Sequence, residues 1–242
     1  MTAGLVEERA APLARLAALP GVSTASGVAA AAVHAQVTGQ VLPVLPELAD
    51  LLPSAGLRRG TTVAVHGSTS LLLALLAGAT ADGAWAAVVG MPNLGLVAAE
   101  ELGVEVARLA LVPRPGAEFA PVTAAFLDGM DLVAVDPRAL GRARGAPGPA
   151  PQVARRLSAR ARHRGAVLVT FGSWPGADVE LSCEPGGWTG LEAGYGRFRA
   201  RRVTVRSGGR GSAARPAQAE LLLPGETGVA RAESVRALEE VG

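Results

Sequence analysis

At 242 residues and 24.3 kDa the chain can bury one good-sized core, and although 49% of its residues are apolar, no apolar run reaches the roughly 18 residues that would span a bilayer. The single Cys183 excludes an internal disulfide and a multi-cysteine zinc cage, and His34, His66 and His163 lack metal-ligand spacing, so no metal or other cofactor is expected. The formal charge is only +2, yet all 23 basic residues are arginine, which excludes any mechanism that needs a lysine ammonium from this chain.

Residues 1–40 are alanine-rich, with Leu13, Leu16 and Leu19 at helical spacing and Pro20-Gly21 as a stop, and they read as an N-terminal helical arm. Glu7 and Glu8 stand where a secretory signal needs a basic start and an apolar block, so a cytoplasmic protein is expected. A short helix is expected around Glu47 to Leu52, then a Gly-Leu-Arg-Arg-Gly turn at 56–60, the strand Val63 to His66 and an apolar helix from Leu71 to Ala81.

"GAWAAVVG", "RLALVP" and "DLVAVD" follow as all-apolar strands, alternating with the helices "NLGLVAAEELGV" and "FAPVTAAFLDGM". Apolar strands alternating with helices imply a mostly parallel central sheet covered on both faces, an α/β fold with right-handed crossovers. Residues 137–151 are too rich in Gly and Pro to be regular. The basic helix "QVARRLSARARHRG" then leads to the strand "AVLVTF". Beyond Gly172, short alternating segments ("DVELSC", "RFRARRVTVRSG", "AQAELLL") read as an antiparallel C-terminal hairpin at the sheet edge, and 224–242 as a tail or short helix.

The order of these pieces resembles the RecA-like recombinase core over residues 41–223. "AGLRRGTTVAVHG" enters the first core strand, "ADGAWAAVVG" the second, "AAEELGVEVARLALVP" the third and "LDGMDLVAVD" the strand that would end in a Walker B aspartate. More narrowly, "HGSTSLLLALL", "AVVGMPNLGLVAAEELGV", "WTGLEAGYGRFRARRV" and "GGRGSAARP" resemble the actinobacterial ImuA-type branch, RecA-like accessory proteins of damage-inducible mutagenesis.

A phosphate loop, GxxxxGK[ST], needs backbone N–H groups to cradle phosphates, a lysine to neutralise them and a hydroxyl for magnesium. Aligned from its first glycine, Gly67 leads to Leu72 and Leu73 in place of the Gly-Lys pair. Aligned from the second, Ser68 replaces the lysine and Thr69 takes the hydroxyl position. Arg58 and Arg59 precede the strand and sit at its far end. What remains at Gly67, Ser68, Thr69 and Ser70 is a helix start that could hold an anion weakly, with simple capping as the plainer reading. After the second strand "GMPNLG" offers no acid to activate water. Asp136 occupies the Walker B-like position, though a strand ending in a turn explains it equally. ATP hydrolysis is not expected.

The arginines form two groups: 155, 156, 160, 162 and 164 on one helix, and 197, 199, 201, 202, 206, 210 and 215 along the C-terminal strands. With Arg138, Arg142 and Arg144 of the loop they are candidate contacts for DNA phosphates or an acidic partner, and equally a solubilising face. No aromatic stacking platform is expected beside them. The short passage from Phe171 through "GSWPGADVEL" leaves Trp174 as a candidate exposed anchor.

The resemblance implies a non-enzymatic scaffold in SOS mutagenesis that works in translesion synthesis with a catalytically inactive Y-family polymerase homologue, ImuB, and an error-prone replicative-type polymerase. Two alternatives are a RecA-like ATPase with an aberrant loop and a SulA-like cell-division inhibitor.

Overall fold

The structure, a computed structural model, describes residues 39–140, 149–192, 195–225 and 228–232. The arm expected over 1–40 lies outside the described residues except for Gly39 and Gln40, and so do Arg142 and Arg144. Every element from Val41 onward belongs to one compact unit.

The elements run β1 (Val41–Pro43), α1 (Pro46–Ala49), β2 (Gly56–Arg58), β3 (Thr62–His66), α2 (Thr69–Ala81), β4 (Ala86–Val89), α3 (Leu96–Glu101), β5 (Leu109–Val112), α4 (Phe119–Gly129) and β6 (Leu132–Val135). Then come α5 (Pro151–Arg164), β7 (Val167–Phe171), β8 (Val179–Glu192), β9 (Tyr195–Gly209), β10 (Ala217–Gly225) and β11 (Gly228–Arg231). The main sheet has the order β11-β10-β9-β8-β3-β7-β6-β4-β5. From β8 to β5 all neighbours are parallel, and β8, β9, β10 and β11 pair antiparallel. The expected fold class is the one observed.

The parallel strands are buried on both faces because their side chains alternate between two cores. Val63, Val65, Ala86, Val88, Leu132, Ala134, Val167 and Val169 pack with α2 on one side. Ala64, Ala87, Val89, Val133, Val135 and Leu168 pack with α4 and α5 on the other. Helix α2 is apolar around its whole circumference and is buried from Leu71 to Ala77, as such a helix must be. Helix α5 is amphipathic instead: Ala154, Leu157 and Ala161 face the sheet and its arginines face water.

Three expectations change. The 56–60 turn contains a strand: β2 pairs antiparallel with β1, forming a small separate sheet. The helix near Glu47 stops at Ala49, where Asp50 caps it ahead of the turn through Pro53. The sheet also continues past 223, because Arg231 and Ala230 of β11 pair with Leu221 and Leu222. Within "RFRARRVTVRSG", the segment Arg202–Ser207 is consequently internal, flanked by β8 and β10, and the sheet edge is β11.

Candidate functional site

At the end of β3 the chain turns through Gly67, whose φ is +86°. A β-carbon there would stand 2.3 Å from the Cys183 carbonyl oxygen, because β8 runs beside β3 with Ser182 opposite His66. Ser68 follows as the N-cap of α2: its Oγ accepts from the Leu71 N–H at 3.2 Å and its carbonyl accepts from the Leu72 N–H at 3.3 Å. The capping reading of Ser68 is the one the geometry bears out. Below the turn, burial pushes the Cys183 thiol up from its ordinary value, while the Ser68 hydroxyl and the Arg201 charge pull the other way. This keeps Cys183 a small buried hydrophobe.

Asp136 is buried at the end of β6 and already has its partners. Its carboxylate takes both Nε (2.9 and 3.0 Å) and Nη2 (2.7 Å) of Arg138, and Oδ1 also accepts from the Arg138 backbone N–H at 2.9 Å. The same guanidinium lies over the Phe171 ring, 4.8 Å from its centroid. Hydrogen bonding to Asp136 raises the pKa of Arg138 further above its ordinary value. The two residues singled out separately, a Walker B-like carboxylate and a candidate DNA or partner contact, neutralise each other. At the opposite end of β3, Arg59 donates to Asp131 at 2.6 Å and to the Gly165 carbonyl at 3.3 Å.

Other arginines are also engaged. Arg160 and Arg164 both bind Asp128 of α4, Arg202 pairs with Glu220 at 3.2 Å, and Arg206 pairs with Glu184 and donates to Gln218. Arg210 lies near Gly176, with its Nη2 3.7 Å from where a β-carbon there would stand. Trp174 is a correction: it is 3% exposed, and its Nε1–H donates to Ser158 Oγ at 3.0 Å, which also accepts from Thr62 Oγ1 at 2.9 Å. The loop 172–178 folds this ring inward against α5, so it is no surface anchor.

The region that presents chemistry is the arginine-rich stretch of β8 and β9. β3 pairs β8 only from Val179 to Ser182, and β10 pairs β9 only from Arg202 to Ser207. Beyond those limits β8 and β9 continue as a two-stranded ribbon with Trp188 opposite Arg201 and Thr189 opposite Ala200. The ribbon closes tightly at Gly190, φ +98°, where a β-carbon would meet the Arg197 carbonyl at 2.2 Å.

The missing aromatic platform is present there, a second correction. Trp188 is 45% exposed, Phe198 59% and Tyr195 84%. The Trp188 and Phe198 rings lie 5.0 Å apart at 50°, and the Arg201 guanidinium stands 5.5 Å from the Trp188 centroid. The Arg201 Nε is buried and has no hydrogen-bond partner among the described residues. In a chain that is 3% aromatic, three aromatics around "RFRAR" were the signal to follow.

An open groove of about 890 Å³ runs between this ribbon and the body, lined among others by Ser70, Glu101, Trp188, Arg197, Phe198 and Arg199. The helix start at Ser70 and the arginine-rich strand, far apart in sequence, therefore share one groove. Among the described residues no group of three or more His, Cys, Asp or Glu could hold a metal ion, and no helix is long and apolar enough to cross a membrane.

Residues 50–176 match the family model described as the MT3502 N-terminal domain, which spans β2 to the end of β7 and stops short of the ribbon. The chain is also 38% identical over 173 residues to an uncharacterized protein, Rv3395c, of Mycobacterium tuberculosis; the match covers 66% of this chain and 80% of the relative. The chain belongs to the MT3502 N-terminal domain family.

Proposed function

We propose that this member of the family is a non-catalytic protein with a RecA-like core, acting as a scaffold in damage-induced mutagenic translesion synthesis. The observation that carries the non-catalytic part is the closure of the nucleotide position. Gly67 abuts the Cys183 carbonyl, Ser68 is spent on its own helix, and Asp136 is neutralised by Arg138. The chain has no lysine, so no ammonium from it can neutralise a terminal phosphate as a phosphate loop requires.

The RecA-like part is supported by the sheet order. β3, which leads into the glycine turn, sits mid-sheet between β7 and β8, and β7 separates it from β6, the strand that ends at Asp136. The translesion role rests on the resemblance to the ImuA branch, which points to an ImuB-like polymerase homologue and an error-prone replicative-type polymerase as partners.

Two measurements test the proposal. Thermal unfolding with millimolar Mg-ATP is expected to show no stabilisation; a rise in Tm that disappears in Thr69→Ala would overturn the non-catalytic reading. Affinity capture from DNA-damaged cells is expected to recover a polymerase homologue. Recovery of a tubulin-like division protein instead would overturn the translesion reading.

A further inference from the structure

We propose that the β8–β9 ribbon is a binding site for single-stranded nucleic acid, with bases stacking on Trp188, Phe198 and Tyr195 and phosphates meeting Arg197, Arg199 and Arg201. The reading rests on the ribbon alone and stands or falls separately from the translesion role.

Exposed aromatics on a protein surface lose free energy to water unless something covers them. Here the pair Trp188 and Phe198 is tilted at 50° and does not close face to face, and Tyr195 lies almost wholly in solvent. Trp188 and Phe198 line the groove together with Arg197 and Arg199, so a base stacked there has guanidinium groups within the same groove for its backbone.

The charge favours a polyanion over an acidic or neutral groove-filler. Ribbon residues 186–192 and 195–201 include three arginines and one acid, Glu192, which leaves the ribbon net positive. Among the described residues, Glu101 is the one acid lining the groove, with Arg197 and Arg199 in the same lining. The guanidinium of half-buried Arg201, whose Nε has no partner among the described residues, adds positive charge beside the Trp188 ring. Ser70, in the first turn of α2, puts the positive end of a 13-residue helix at the groove.

A single strand suits the geometry and a duplex does not. Paired bases are already stacked on each other and cannot offer a face to Trp188 or Phe198, whereas an unpaired base can. The groove's volume of about 890 Å³ gives room for nucleotides beside the ribbon.

The test is fluorescence anisotropy of the full chain with a labelled oligo(dT) of about 20 nucleotides, longer than the usual site on one domain. Binding is expected at low salt, with log K falling against log salt at a slope of about −2, from about 0.7 for each of three phosphate contacts. Trp188→Ala/Phe198→Ala is expected to weaken binding by about tenfold or more, while Trp188→Phe keeps most of it. Trp85→Ala removes an exposed tryptophan outside the ribbon and is expected to change nothing.

A parallel titration with oligo(rU) identifies DNA or RNA as the preferred source, and tighter binding of either supports the proposal. Circular dichroism of each variant shows that the fold is kept. The proposal is overturned by absence of binding at about 50 mM salt, where phosphate contacts are strong. It is equally overturned if a blunt duplex binds as tightly as the single strand, or if the aromatic double variant binds like the wild type. Capture of a protein through Trp188 and Phe198 without oligonucleotide binding also overturns it.

Discussion

The carbonyl oxygen of Cys183 stands 2.3 Å from where a β-carbon on Gly67 would lie, so β3 and β8 meet where no side chain fits. This relationship explains why the turn after β3 needs a glycine whether or not it binds a phosphate. The glycine serves the sheet.

Gly67→Ala is therefore expected to destabilise by about 2–5 kcal/mol, combining a left-handed backbone penalty with overpacking against β8. Gly83→Ala is the control: its φ is +100° but nothing lies within 4 Å of the new methyl, so only the backbone part of about 1–2 kcal/mol remains. Urea unfolding of the two variants measures the difference. Equal losses would mean that the Cys183 contact does not constrain the turn.

Trp174 is expected to behave as a core residue. Trp174→Ala should lose about 3–5 kcal/mol through the cavity it leaves. Trp174→Phe should lose less, with about 1 kcal/mol from the missing hydrogen bond to Ser158, whose hydroxyl still accepts from Thr62. The same denaturation curves report both values. A surface anchor would give almost no stability change in either variant.

Arg138→Ala leaves the buried Asp136 carboxylate with only the backbone N–H of residue 138. A loss of about 1–2 kcal/mol is expected, kept modest because the arginine itself is well exposed. Asp136→Asn/Arg138→Ala should recover part of that loss, since the uncompensated charge is then gone. A double-mutant cycle by thermal unfolding measures the coupling. If the two losses simply add, the pair is not a unit and Asp136 is available for other chemistry.

The parallel core was readable in the sequence because burial on both faces demands continuous apolar runs, as in Leu132–Val135 and Ala86–Val89. The Ser68 cap was readable too, as a hydroxyl just before an apolar helix. β2 and β11 were not, since strands of three and four residues carry almost no periodic signal and depend on remote partners, Val41–Pro43 and Leu221–Gly225. Trp174 was misplaced because nothing in the loop 172–178 says which way a side chain turns; Ser158, sixteen residues earlier, decides it. The ribbon was hidden by its own glycines. "EPGGWTGLEAGYG" has the composition of a turn, yet Gly190 is there to let Arg197 come close across a paired strand.

The Asp128 pair makes a pH prediction with a definite sign. Arg160, through its hydrogen bond and charge, and then Arg164 hold the Asp128 carboxyl below its ordinary value of 3.8. A carboxylate whose folded pKa is depressed gives up its proton more readily in the folded state than in the unfolded state. Its contribution to stability is therefore fully present above about pH 4 and is lost as pH falls through the lower folded value. The wild type should exceed Asp128→Asn in stability at neutral pH, and the gap should narrow as the solution is acidified below pH 4. Because both arginines and the carboxylate are largely solvated, the gap should also shrink with added salt. Unfolding midpoints across an acid titration of both proteins, at two ionic strengths, check the prediction. A gap that holds constant down to pH 2 would show that the α4–α5 contact owes nothing to this ionisation.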